Sequence, residues 1–168
     1  MRSRRTIEGA RGTALRSSAP GKAAAVLLAS LTLAGLTGCG TAPPTRLEAS
    51  LVAADDVNQD ELGRALPVVV RVYELKTAGG FQAADFYGLY DQEGAALGGD
   101  LLAREELQLR PGERREIARD VAPGAQHLGV AGAYRQIDKA RWRDIHALKQ
   151  GETNKVEIHL GAKAVSIR

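Results

Sequence analysis

Between residues 47 and 53 the chain alternates, with Leu47, Ala49, Leu51 and Ala53 on one side and Glu48, Ser50 and Val52 on the other. A period of two marks a half-buried strand. The alternation breaks over Asp55 to Leu66, where Asp55, Asp56, Asn58, Asp60 and Gly63 supply turn chemistry. That stretch is long for a hairpin connection, and long ordered loops tend to carry function. Pro67 to Leu75 is rich in β-branched residues and is the strongest strand in the chain; Pro67 stands at its first residue, where no ladder donor is lost. From Phe81 to Tyr90 the spacing turns helical, with Asp85 placed for a first turn. A second helical or irregular piece is predicted over Asp100 to Glu106, so that an insertion over about 81–106 packs on the end of the sheets. Strands resume at Leu107-Gln108-Leu109 before Pro111-Gly112, and from Arg115 to Val121 before Pro123-Gly124. Further strands are predicted over His127 to Tyr134, Trp142 to Leu148, Asn154 to Leu160 and Ala164 to Ile167, with a turn at Gln150-Gly151. About seven or eight short strands at this spacing predict an all-β fold, a β-sandwich with a small helical insertion.

The first forty residues follow another logic. Arg2, Arg4, Arg5, Arg11, Arg16 and Lys22 precede an apolar run from Ala23 to Leu36, and small residues follow it. A basic flank, a short apolar stretch and small residues form the layout of a secretory signal. The run has 14 residues, short of the ~20 that span a bilayer as a helix. Ser3-Arg4-Arg5 lies too far upstream of it to argue for twin-arginine export. Leu36-Thr37-Gly38-Cys39 resembles the lipobox of bacterial lipoproteins, in which the cysteine becomes the lipidated mature N-terminus. Thioether formation with a diacylglycerol needs a nucleophilic sulfur, and Cys39 is the only cysteine of the chain, without a disulfide partner. Residues 1–38 are therefore expected to be a cleaved signal peptide, 39–45 a lipidated cysteine with a short tether containing Pro43-Pro44, and 46–168 the folded domain. Gly40 at the second mature position favours, by resemblance to enterobacterial sorting, the outer membrane over the inner one.

This division changes what the charge means. The full chain has 23 Lys and Arg against 20 Asp and Glu and a pI near 9.2. Residues 1–38 hold six of those basic residues and one acid, which leaves 17 against 19 in the mature part. The basic character belongs to the export signal, and the footprint of a phosphate binder is missing.

Candidate chemistry is sparse. His127, His146 and His159 fall on separate predicted strands without ligand spacing, so no metal site is expected. Glu105 and Glu106 are adjacent, which points their side chains apart. Arg114, Arg115 and Arg119 with Glu113 and Glu116 form a mixed-sign run, read as a solvated face. Trp142 between Arg141 and Arg143 is read as a core residue in preference to a binding hot spot. No G-x-S-x-G elbow occurs, and nothing argues for catalysis or a cofactor beyond the lipid on Cys39.

Most of the mature chain resembles the outer-membrane lipoprotein family of type VI secretion systems, the VasD/TssJ type. The stretches that carry this are the lipobox, Asn58-Gln59-Asp60-Glu61-Leu62-Gly63-Arg64 running into Pro67, Val69 to Leu75, Phe81 with Asp85-Phe86-Tyr87, Arg110-Pro111-Gly112-Glu113, Leu128-Gly129-Val130 through Tyr134, and Trp142-Arg143. The resemblance implies a transthyretin-like (immunoglobulin-like) β-sandwich and a non-enzymatic role. It implies a lipoprotein binding the periplasmic domain of an IcmF-like inner-membrane protein, through the loop between the first two strands. Here that loop is Asp55 to Leu66, and Asn58, Asp60, Gly63 and Arg64 are the residues carried over. Plain turn chemistry is the competing reading, with Gly63 supplying positive φ and Asn58 an Asx-turn. The competing function is an envelope lipoprotein that binds a glycan or lipid, although two Phe, four Tyr and one Trp offer few stacking platforms.

Overall fold

The computed structural model describes residues 43–168. Cys39, the lipobox and the signal segment lie outside the described residues. Eight strands form two four-stranded sheets: β1 (Arg46–Ala53), β2 (Val68–Leu75), β3 (Leu101–Leu109), β4 (Arg114–Asp120), β5 (His127–Ala133), β6 (Arg143–Ala147), β7 (Thr153–Leu160) and β8 (Val165–Ile167). One sheet runs β4-β1-β7-β8 and the other β3-β2-β5-β6. Neighbouring strands of the two sheets pair antiparallel except β1 with β7, which run parallel from Arg46 opposite Thr153 to Ala53 opposite Leu160.

The alternating residues Leu47, Ala49, Leu51 and Ala53 of β1 meet Val68, Val70 and Val72 of β2, Leu128 and Val130 of β5, and Ile158 and Leu160 of β7 in one buried cluster. The fully buried leucines, isoleucine and valines among these contribute on the order of 1.5–3 kcal/mol each. This inner layer sets the register, since a one-residue slip in β1 would turn Glu48 and Ser50 into the core.

Three short helices, α1 (Gly79–Ala83), α2 (Phe86–Asp91) and α3 (Glu93–Leu97), and a 3₁₀ turn over Gly98–Asp100 separate β2 from β3. They lie over the outer face of the second sheet and not on the end of the sheets, as the sequence had suggested. Tyr73 and Leu75 of β2 and Ala131 of β5 form a second buried cluster there with Phe81, Leu89 and Leu97. Gly129 admits Phe81: a Cβ on it would stand 3.0 Å from the phenyl ring and 3.1 Å from Leu75. The hint lay in Val68 to Leu75, whose near-continuous apolar run marks a strand buried on both faces.

The expectation of a helical piece over Asp100 to Glu106 is corrected, because Leu101 to Glu106 belongs to strand β3. Leu, Ala, Arg and Glu favour helix intrinsically, but β3 pairs with β2 along its length, with one register shift between Glu74 and Leu75, and alternates in exposure. Glu106 stands opposite Arg71, their side chains 2.6 Å apart, while Glu105 turns to the other face, 3.5 Å from Arg119. Charges on both faces hid the period of two.

The direction of β1 gives the molecule two poles. At one end Thr45 is bonded into the fold, its carbonyl accepting from Val121 N–H at 2.9 Å and its hydroxyl from Gly151 N–H at 2.9 Å. The segments 121–126 and 148–152 gather at this end. Eight residues on, β1 delivers the chain to the opposite end, about 26 Å away at the usual rise of a strand. There lie the 54–67 loop, the β3–β4 turn and the segment linking β5 to β6.

Candidate functional site

The 54–67 loop is pinned before it is exposed. Ala54 N–H donates to Leu160 O at 2.8 Å, Gln59 N–H to Ala162 O at 3.2 Å, and Leu66 N–H to Val57 O at 3.1 Å. Val57 is fully buried beneath it.

The four residues carried over from the family divide into two roles. Asn58 is buried and left-handed, with φ of 50°. Its Nδ2 donates to Pro67 O at 2.7 Å and its Oδ1 accepts from Arg135 N–H at 2.6 Å. That is more than an Asx-turn, because the amide ties the loop to the β5–β6 segment. Asp60 Oδ1 accepts from the N–H groups of Leu62 and Arg64, both at 2.9 Å, and Oδ2 from Arg64 Nε at 2.8 Å. The backbone N–H of Arg64, then its guanidinium, hold the Asp60 carboxyl below its ordinary pKa. Gly63 has φ of 75°, which closes this turn at little steric cost. Asn58, Asp60 and Gly63 therefore build the loop, while Arg64 reaches outward with its charge committed to Asp60.

What the closed turn presents is Leu62, 77% exposed. An open cleft of about 390 Å³ beside it is lined by Asp60, Glu61, Leu62, Arg64, Leu66, Arg135 and Gln136. A second cleft, about 280 Å³, shares Glu61, Arg135 and Gln136 and ends on Tyr87 of α2, which is 63% exposed. Asp85 caps α2 by accepting from Gly88 N–H at 2.6 Å, and Phe86 stacks on Tyr90 at 5.1 Å. These contacts fix the direction in which Tyr87 projects. Leu62 carried a sequence signal, as the one large apolar residue in a charged turn. Tyr87 and Arg135 carried none, because only the tertiary fold brings them beside the loop.

The other candidates are structural. Trp142 is half-buried under the helices, edge-on to Phe86 at 5.3 Å, with Arg143 over its ring at 4.7 Å. It packs on the outer cluster and not in the sandwich interior. Arg143 donates to Phe81 O at 2.8 Å and to Ala84 O, holding α1 on the sheet. Arg115 and Arg119 of the mixed-sign run pair with Glu113 and Glu74. His127, His146 and His159 stand on β5, β6 and β7, and no group of three or more His, Cys, Asp or Glu suited to a metal occurs among the described residues.

Comparisons with known proteins agree on one group. Residues 45–163 match the family model described as type VI secretion lipoprotein, VasD, EvfM, TssJ, VC_A0113. The crystal structure of the T6SS lipoprotein TssJ1 from Pseudomonas aeruginosa is similar over 75% of this chain and 96% of that one, at 40% identity and a TM-score of 0.73. A chain of a type VI membrane complex is similar at 25% identity, over 74% of this chain and 98% of that one, with a TM-score of 0.66. The fold also matches a chain in the structure of the T6SS protein TssM C-terminal domain from EAEC, at 24% identity, 74% and 98% coverage and a TM-score of 0.63. Comparison with curated proteins gives no match.

Proposed function

The chain belongs to the type VI secretion lipoprotein family of VasD and TssJ, and on that footing we propose that it is an outer-membrane-anchored adaptor of the secretion membrane complex. Lipid on Cys39 holds it in the outer membrane, and its distal pole binds the periplasmic domain of an IcmF-like, TssM-type inner-membrane protein. The role is mechanical and asks for no catalytic group.

The observation that carries this reading is the opposition of the two poles. Pro43 and Thr45 enter the fold at one end, beside Gly151 and Val121. The four residues from Cys39 to Pro43 reach at most about 14 Å, so that end stays close to the bilayer. The 54–67 loop lies a strand length away and faces the periplasm. Such a placement suits a link between two membranes, because the bound partner and the anchor pull on opposite ends of one rigid sandwich.

The test is co-isolation. The full chain, solubilised from membranes with detergent, is expected to bring down the cognate TssM-type protein, identified by mass spectrometry, and the reciprocal pull-down to return the lipoprotein. Folded bait that recovers no such protein from membranes containing it would sink the adaptor reading and leave the glycan- or lipid-binding one.

A further inference from the structure

We infer that the partner-binding surface is composite: Leu62 of the 54–67 loop and Tyr87 of the helical insertion are its two apolar anchors, on either side of Arg135, and it takes a folded protein surface with apolar recesses. This rests on the adaptor reading and specifies which residues of the pole meet the TssM-type domain.

Exposed large hydrophobic residues are few among the described residues. Leu62 and Tyr87 are the most exposed of them, Leu102 following at 36%. Both stand at the distal pole, each at the mouth of a cleft, and the two clefts share the walls Glu61, Arg135 and Gln136. The backbone that carries each side chain is held in place. The turn carrying Leu62 is closed by Asp60, and the helix carrying Tyr87 is fixed by Asp85 and Phe86. The segment between them is tied to the loop through Arg135 N–H on Asn58 Oδ1 and, at 3.4 Å, Gln136 Nε2 on Gln59 O. Ordering entropy is therefore largely spent before the partner arrives, which favours binding.

Charge decides the occupant. Asp60, Glu61 and Asp138 face Arg64, Arg135 and Lys139 around the two clefts. A rim balanced in sign does not attract an anionic polymer or lipid surface, each of which needs a basic excess. Apolar anchors inside a mixed polar rim match a protein–protein interface, whose hot spots favour Tyr and Arg. The anchor's own membrane is not the occupant, because the chain enters the fold at the other pole. Arg135 forms no ion pair among the described residues, so its guanidinium is available to a partner carboxylate.

The test is calorimetric titration of the detergent-solubilised full chain with the cognate periplasmic TssM-type domain. Tyr87→Ala and Leu62→Ser are each expected to weaken binding about tenfold or more, as hot-spot truncations do, with unchanged melting temperatures because both side chains are exposed. Affinity is expected to change by no more than about threefold as ionic strength rises and the Debye length falls from about 30 to about 8 Å. Wild-type affinity in Tyr87→Ala, beside a weakened Leu62→Ser, would confine the interface to the loop and overturn the composite surface while leaving the adaptor reading standing. A wild-type chain that does not bind would overturn both. A steep loss of affinity with salt would overturn the apolar drive.

Discussion

Cys39→Ser is expected to move the protein from the membrane fraction to the soluble periplasmic fraction and, on the adaptor reading, to abolish assembly with the proposed TssM-type partner. Serine keeps the size and the hydrogen-bonding reach of the side chain but lacks the sulfur that forms the thioether. Each lipid methylene buried in the bilayer contributes ~0.8 kcal/mol, and one acyl chain gives only marginal, reversible binding. Two or three chains on one residue therefore separate a permanent anchor from none. The 14-residue apolar run is too short to span, and no helix among the described residues is long and apolar enough to cross a membrane. Fractionation followed by immunoblotting reads the result directly. Cys39→Ser protein that stays with the membrane would place the anchor elsewhere.

Glu74→Ala is expected to destabilise the sandwich strongly, lowering stability by about 3 kcal/mol and the melting temperature by about 10 °C. Glu74 is fully buried in β2 among apolar neighbours. One of its carboxylate oxygens pairs with Arg119 of β4, across the two sheets, and the other accepts from Ala122 N–H at 2.6 Å. Truncation would leave a guanidinium facing the core and a backbone donor without an acceptor, each costly when water cannot reach it. The figure sits at the low end for a broken buried pair because the Arg119 side chain is 31% exposed and partly solvated. Chemical denaturation of Glu74→Ala, Arg119→Ala and the double variant reads the coupling, and a double variant as unstable as the sum of the singles would remove the pair from the stability of the fold.

Glu74 also shows where sequence reading stops. In a run of β-branched residues a glutamate reads as a solvent-facing position, and its partner lies 45 residues further on. The strands themselves were legible, because the period of two survives in β1 and β7, where one face is core and the other water. It failed over Leu101 to Glu106, where good helix formers are held extended by β2. The helical insertion was legible from Phe81, Phe86 and Leu89, but not its resting place. That depended on β2 being apolar on both faces and on the missing side chain of Gly129. At the candidate site, sequence and family resemblance singled out Asn58, Asp60, Gly63 and Arg64, residues whose turn-forming character can be read locally. The structure places three of them in the frame of the loop. The residues beside that frame, Tyr87 and Arg135, come from segments 29 and 77 positions beyond Asn58, and no local pattern connects them.

The orientation of the molecule between anchor and partner can be measured in cells by site-specific photo-crosslinking. A photoreactive residue in place of Leu62 at the distal pole, or of exposed Glu152 at the anchor pole, reports which end touches the inner-membrane protein. Capture of the TssM-type protein from position 62 and not from position 152 is the expected result. Capture from position 152 with none from position 62 would contradict the central claim that the pole opposite the lipid carries the link.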